Sequence, residues 1–158
     1  VPLFSSNGRR KWLEHPKGRE TDVVALPIPS DDTTNLYPMD TKLANTDLVL
    51  SPSEPVSIIG FPFGLASAGL FPIWKTGHIG SDIDLDYDRK PIFIIDATTM
   101  PGMAGSPVVA RRIGMFRSTT GMHMGGEATR FLGVYSGRVH DQADIGMVWR
   151  PEVLDDIL

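Results

Sequence analysis

The residues best suited to chemistry lie in a turn rich in small residues at 96–109. This segment reads Asp-Ala-Thr-Thr-Met-Pro-Gly-Met-Ala-Gly-Ser-Pro-Val-Val and runs into an apolar stretch. Glycines let such a turn bend sharply, and the backbone N–H groups that it exposes can stabilise negative charge on a reacting oxygen. The chain has no cysteine, which excludes a thiol nucleophile, a disulfide framework and a Cys-ligated zinc site.

The turn resembles the nucleophile loop of trypsin-fold serine proteases, in which a Gly-x-Ser-Gly-(Gly/Ser)-Pro sequence presents the serine. The Asp-Ala lead-in and the Pro-Gly before the loop are most similar to the high-temperature-requirement branch. Three other segments resemble that branch in the same order along the chain, at 59–64, 133–137 and 145–151. The resemblance extends from about residue 22 to the end. It implies a trypsin-like peptidase domain that acts on peptide or protein substrates without a cofactor.

One position departs from the family pattern. The resemblance implies that the N–H groups of Gly102 and residue 104 form the oxyanion hole, but residue 104 is alanine where the family has its nucleophilic serine. Ser106 is no substitute, because it lies where the turn already leads into a strand. Loss of the serine costs on the order of 10⁶ in turnover in a well-studied serine protease. We therefore expect this chain, with Ala104, to be inactive as a protease.

The triad acid is assigned through the same resemblance. Asp22 opens the apolar strand predicted at 22–28, where the family keeps the aspartate that orients the catalytic histidine. Taken alone, an aspartate there is more typical of a turn or a strand start. The resemblance favours the triad role.

No histidine of the chain fits the general base. In trypsin-fold proteases the histidine precedes the aspartate of the triad by roughly 45 residues, and only 21 residues precede Asp22. Each histidine is interpreted as solvated or packed: His15, His78, His123 and His140. We expect the base on an N-terminal segment that precedes Val1, so the sequence reads as a fragment of a longer protease.

The resemblance also implies a primary substrate pocket. Thr98 and Thr99 would line it, and Tyr135, Ser136 and Gly137 would form one wall. No acidic residue stands at the pocket base, so a preference for Arg or Lys is not supported. We expect a small or medium apolar side chain to bind there.

Two other functions are kept open. In the first, the chain is a natural pseudoprotease that acts as a peptide-binding or scaffolding module. The second is an unrelated β-barrel binding protein. The retained Asp22 and loop favour an engineered Ala104 over a natural one, but the sequence does not decide this.

Composition excludes several classes of partner. The formal net charge of −4 argues against nucleic acid and anionic membranes. An uncharged run at 55–74 is long enough to span a bilayer, but its three glycines and three prolines exclude a membrane helix. The first residues lack the pattern of a signal peptide. The compartment stays open, with the cytoplasm preferred to the periplasm.

The acidic stretch 82–88 is not an EF-hand, because Tyr87 and Phe93 stand where the loop needs Gly and Glu. No metal site is expected. Alternation of Asp with apolar residues instead predicts an exposed hairpin strand. Residues 112–130 are interpreted as a mobile surface loop. Four aromatic residues are interpreted as core: Phe61, Phe63, Phe71 and Trp74.

Gly and Pro together make up 29 of 158 residues, which favours many short strands joined by turns. A hairpin with Asn7-Gly8 at its turn is predicted in the first twenty residues, and a short helix is predicted from Pro151. The predicted strands are 22–28, 56–60, 91–95, 106–111, 131–137 and 144–149.

The predicted fold is all-β. By resemblance it is a trypsin-like double β-barrel, with the first barrel incomplete at its N-terminal side and a short C-terminal helix. Residues 1–55 would be the remainder of the first barrel, carrying Asp22 and the inter-barrel connection. Residues 56–158 would form the second barrel, with the nucleophile loop and the helix.

Overall fold

A computed structural model of the protein describes residues 2–29 and 35–158. Its strands are β1 (Leu13–Glu14), β2 (Val24–Ala25), β3 (Pro55–Gly60), β4 (Ile73–Ile79), β5 (Ile92–Asp96), β6 (Pro107–Ser118), β7 (Gly121–Arg138) and β8 (Ile145–Trp149). A single short helix, α1 (Glu152–Ile157), follows Pro151. Turns of 3₁₀ helix lie at Gly18–Glu20, Thr41–Asn45, Pro62–Gly64 and Ala68–Leu70.

Strands β3 to β8 close into an antiparallel barrel in the order β3-β4-β5-β8-β7-β6. The pairing of β3 with β4 runs from Pro55↔His78 to Gly60↔Ile73. The barrel closes where β3 meets β6, at Ser57↔Val109 and Ile58↔Val108. The six strands thus form a closed ring. The loop that connects β5 to β6 lies at one end of this ring.

The barrel interior is filled by alternate residues of its strands. In β3 the buried positions are Val56, Ile58 and Gly60, as expected for side chains that alternate between the two faces of a strand. Phe93 and Ile95 of β5 belong to the same buried cluster. Removing these apolar side chains from water is the main force that holds the ring closed.

A second buried cluster joins the two ends of the chain. Val23 packs with Ile92, Trp149 and two residues of helix α1, Val153 and Ile157. The segment around β2 therefore lies on the outside of the barrel, against α1. Strand β2 also pairs with β1 through Leu13↔Ala25 and Glu14↔Val24.

The predicted all-β fold with a short C-terminal helix is confirmed. The predicted turn at Asn7-Gly8 is also present, with Gly8 N–H donating to Ser5 O and a bridge between Phe4 and Arg10. Among the described residues before β3, regular structure consists of the β1–β2 pair and 3₁₀ turns. Within residues 2–29 and 35–158 no helix has the length and apolar character that a membrane crossing requires.

The surface loop predicted at 112–130 is wrong. Strands β6 and β7 continue through this region as a paired ribbon, from Arg111↔Thr129 to Ser118↔Gly121. The pairing is irregular only locally here, at a register shift between Ile113 and Met115 that includes Gly114. Cross-strand hydrogen bonds stabilise the ribbon although much of its surface is polar or exposed.

The exposed strand predicted at 82–88 is also wrong. The segment consists of turns, with one isolated bridge between Tyr87 and Lys90. Ile83 is buried, whereas Leu85 and Tyr87 are exposed. The alternating apolar residues therefore do not share a face, which a strand would require.

Asp86 of this segment instead anchors the acidic turns to the C-terminal helix. The half-buried Arg150 donates to Asp86 and, at 2.7 Å, to Glu152 Oε1. Burial acts to lower the pKa of Arg150, but the hydrogen bonds to the two carboxylates raise that pKa above its ordinary value. Arg150 thus stays charged and ties the turns to α1.

The four aromatic residues predicted as core are exposed. The exposed fractions are 41% for Phe61, 63% for Phe63, 61% for Phe71 and 53% for Trp74. Three of them lie in the irregular segment between β3 and β4, outside the alternation that fills the barrel, and Trp74 occupies an outward position of β4. These four side chains form an exposed aromatic surface at and beside the segment that connects β3 to β4.

Candidate functional site

The small-residue turn is the loop between β5 and β6, and Met103 anchors it. This side chain is fully buried in the barrel core. Around it, Met103 N–H donates to Met100 O at 3.3 Å and Ser106 N–H donates to Met103 O at 3.0 Å. The loop is therefore held from its centre, with the residues on either side of Met103 turned outward.

Strand β7 fixes the end of the loop. Gly105 N–H donates to Tyr135 O at 2.8 Å, and Tyr135 N–H donates to Ser106 O at 2.9 Å. Two of the segments singled out in the sequence, the loop and 133–137, are thus hydrogen-bonded to each other.

The third segment, 59–64, packs against the other side of the loop. Phe63 N–H donates to Pro101 O at 2.7 Å. Gly102 has φ +90°, and a Cβ there would lie 2.8 Å from Phe61 O. Only glycine fits this close approach without a shift of the backbone.

Ser106 is not available as a nucleophile. Its side chain is buried and faces Gly60, where an added Cβ would lie 2.0 Å from Ser106 Oγ. This agrees with the expectation that the turn already leads into a strand at Ser106, since β6 begins at the next residue, Pro107. The serine nearest to position 104 therefore serves packing between the loop and β3.

The loop presents the backbone N–H groups of Gly102 and Ala104 on its exposed side. Both residues are exposed, and neither N–H donates a hydrogen bond to any other residue of the described chain. Backbone donors need an acceptor, and here only solvent or a ligand can supply one. Two free donors two residues apart on one turn are suited to a carbonyl oxygen or an oxyanion.

A cavity of about 390 Å³ lies beside these donors. One side is formed by the loop, including Thr99, Gly102 and Ala104, and the other by Tyr135 and Gly137 of β7. Buried Thr99 Oγ1 is hydrogen-bonded to the Tyr135 hydroxyl, which ties the two walls together.

Two residues predicted for the pocket do not line this cavity. Thr98 is exposed outside it, and Ser136 lies at a register shift between β7 and β8. The Ser136 hydroxyl is buried, with no hydrogen-bond partner among the described residues. Of the predicted wall, Tyr135 and Gly137 line the cavity and Ser136 does not.

Sequence reasoning missed Arg138, which lines the cavity next to Gly137. Its Nη2 donates to Thr99 O and its Nη1 donates to Asp141 O, both at 2.9 Å. Both acceptors are main-chain carbonyls. In the sequence, only its position directly after the predicted wall at 135–137 indicated that Arg138 lies near the cavity.

The structure does not bring Asp22 to this cavity. Asp22 is exposed and lines a different depression, together with Glu14, Arg19 and Val24. That depression is formed by the β1–β2 region.

None of the four histidines lines the cavity beside Ala104. Nδ1 of the buried His15 accepts from Lys17 N–H at 3.0 Å, so its Nε2 carries the proton toward Asp156, 3.1 Å away. His123 lies on the ribbon, where it stacks on a phenylalanine and bonds to Ser118 Oγ at 2.7 Å. His78 and His140 are exposed.

No group of three or more histidine, aspartate or glutamate side chains in the described part of the chain is placed to hold a metal ion. Comparison with known proteins gave no match to a protein-family model, a curated protein or a solved structure. What the site does is therefore inferred from its own geometry.

Proposed function

We propose that this chain is the nucleophile-loop part of a trypsin-type serine endopeptidase, in a form that binds peptides and does not cleave them. One observation carries the proposal. The exposed N–H groups of Gly102 and Ala104 have no acceptor in the described chain and adjoin a cavity of side-chain size. A peptide carbonyl accepts hydrogen bonds from both donors while the neighbouring side chain enters the cavity.

The reaction of the serine form is acyl transfer. A serine hydroxyl at position 104 attacks the scissile carbonyl carbon, and a histidine accepts the hydroxyl proton. The N–H groups of Gly102 and residue 104 hold the resulting oxyanion. The C–N bond then breaks, the histidine returns the proton to the leaving amine, and water releases the acyl group. With alanine at 104 the covalent step is lost and carbonyl binding remains.

The triad acid, the histidine and the first barrel are carried over from the resemblance to trypsin-fold proteases. Asp22 is assigned as the acid that orients the histidine, and the histidine is assigned to an N-terminal segment of the same protease. In this proposal residues 1–55 complete a first barrel together with that segment. Residues 56–158 are the second barrel.

The test is Ala104→Ser in the protein expressed from its full natural reading frame, assayed with a mixed library of fluorogenic peptides. We expect hydrolysis to rise by several orders of magnitude, since removal of such a serine costs on the order of 10⁶. Ala44→Ser, on the 3₁₀ turn at Thr41–Asn45, is the matched control and should stay inactive. Continued inactivity of Ala104→Ser, with a histidine-bearing segment present, would refute the proposal.

A natural pseudoprotease is the second candidate, because the free donors and the cavity need no hydroxyl for binding. An alanine codon at 104 in the natural gene supports this candidate, and a serine codon supports an engineered change. An unrelated β-barrel binding protein is favoured if the reading frame holds no histidine-bearing strand before this region.

A further inference from the structure

We infer that the cavity beside Ala104 selects an acidic side chain, so that the peptides bound best carry Glu or Asp at the residue held by the two free N–H groups. This inference rests on the proposed function and names its substrate class. It replaces the expectation of an apolar side chain.

The guanidinium of Arg138 is the feature that selects charge. It has five N–H donors, and the described structure gives it two acceptors, the carbonyl oxygens of Thr99 and Asp141. No carboxylate lies within 4.0 Å of it in residues 2–29 and 35–158. Its positive charge is therefore held in place without a counter-ion.

Two of the other half-buried arginines show a contrast, whereas the third, Arg130, also donates to a main-chain carbonyl, Leu48 O, at 3.1 Å. Arg112 donates to Glu54 at 2.8 Å, and Arg150 bonds to two carboxylates. Each of these cations is neutralised within the fold. Arg138 differs from Arg112 and Arg150 because its partners are neutral carbonyls, and it is the arginine that lines the cavity beside Ala104.

The guanidinium is also preorganised. Its two carbonyl partners lie in different segments, one on the loop and one in the turn after β7. Thr99 is itself fixed through its hydroxyl contact with Tyr135. A planar guanidinium held in this way presents its remaining N–H groups to a carboxylate at little entropic cost.

Asp141 is the only acidic residue that lines the described cavity. Its carbonyl accepts from Arg138, whereas its exposed carboxylate does not pair with the guanidinium. This charge weakens the attraction for an acidic ligand. Its removal is therefore a second test that leaves Arg138 untouched.

The experiment measures binding of four peptides to the unmodified chain by isothermal titration calorimetry. The peptides share one sequence and end in Glu, Gln, Leu or Arg, so the terminal carboxylate is common and the last side chain varies. We expect the Glu peptide to bind roughly tenfold more tightly than the Gln peptide, at the low end for a charge-assisted hydrogen bond. The preference should fall as salt rises.

Two variants assign the preference to its cause. Arg138→Gln should bring the ratio of Glu to Gln affinity close to one, and Asp141→Asn should raise affinity for the Glu peptide. Thermal melting of each variant checks that it is folded. The Asp141→Asn result stands by itself if Arg138→Gln fails to fold.

Each other outcome has a definite meaning. Equal binding of all four peptides, tighter binding of the Leu peptide, or a Glu preference that survives Arg138→Gln overturns the acidic pocket and leaves the proposed function standing. No binding of any peptide overturns both.

Discussion

Replacing Gly102 with alanine tests the packing that holds the candidate oxyanion loop. Gly105, three residues later, offers a matched control. The two glycines have nearly equal backbone angles, φ +90° and φ +88°. A Cβ at Gly102 would lie 2.8 Å from Phe61 O, whereas a Cβ at Gly105 would have nothing within 4 Å. The pair therefore separates backbone strain from close approach.

The expected losses of unfolding free energy follow from two costs, the backbone strain and the close approach of the added methyl group. An L-residue in the left-handed region costs about 1–2 kcal/mol, and this cost applies to both variants. At Gly102 the added methyl group also meets backbone, which cannot rotate away, and overpacking of this kind costs typically about 1–3 kcal/mol more. We expect Gly105→Ala to lower the free energy of unfolding by about 1–2 kcal/mol and Gly102→Ala by roughly 2–5 kcal/mol.

Urea unfolding of both variants, followed by tryptophan fluorescence, gives the two free energies. Peptide binding adds a second measurement, because a shift at Gly102 moves the N–H groups that hold the carbonyl in the proposed function. Gly102→Ala should therefore weaken binding more than Gly105→Ala does. Equal losses of stability in the two variants, or a larger loss for Gly105→Ala, would show that the contact between the loop and Phe61 contributes nothing.

Three further predictions concern the rest of the molecule. Phe93→Ala should cost about 3–5 kcal/mol because Phe93 is only 1% exposed, while Phe63→Ala, at a position 63% exposed, should stay within about 0.5 kcal/mol in the same urea assay. The hydrogen bonds and charge of Arg111 hold the pKa of Glu127 below its ordinary value, so Arg111→Gln should raise that pKa in an NMR titration. The contribution of this pair to stability is present above the unfolded carboxylate's pKa and is lost as pH falls through the lowered folded value. His15→Ala removes the contact to helix α1, and hydrogen exchange should speed up in the β1–β2 region while the barrel stays protected.

Local apolar patterns were enough to predict most of the barrel strands. The predicted ranges 56–60, 91–95 and 144–149 lie within one residue of β3, β5 and β8 at each end. Alternation and short apolar runs are encoded in neighbouring residues, so these strands can be recognised without knowledge of their partners. The helix after Pro151 was recognisable for the same reason.

The exposed aromatic segment and the long ribbon could not be predicted in this way. Whether Phe63 is buried depends on which residues the closed ring encloses, and that is decided by strands far away in the sequence. The ribbon formed by β6 and β7 is stabilised by hydrogen bonds between its two strands. A glycine-rich sequence whose apolar side chains are mostly exposed gives no local sign of such pairing.

The candidate site, too, could be predicted only in part from local sequence. Gly102 and Ala104 were singled out through the resemblance of the turn at 96–109 to a protease nucleophile loop, and the turn itself can be recognised locally because backbone geometry depends on residues close in sequence. The free donors, the cavity and the role of Arg138 arise only when the loop meets β7, and Arg138 reaches across 39 positions to Thr99. The sequence by itself thus determined the turn and the alanine at position 104. Tertiary structure decided the charge of the pocket beside them, because a side chain's partners are set by the strands that folding brings together.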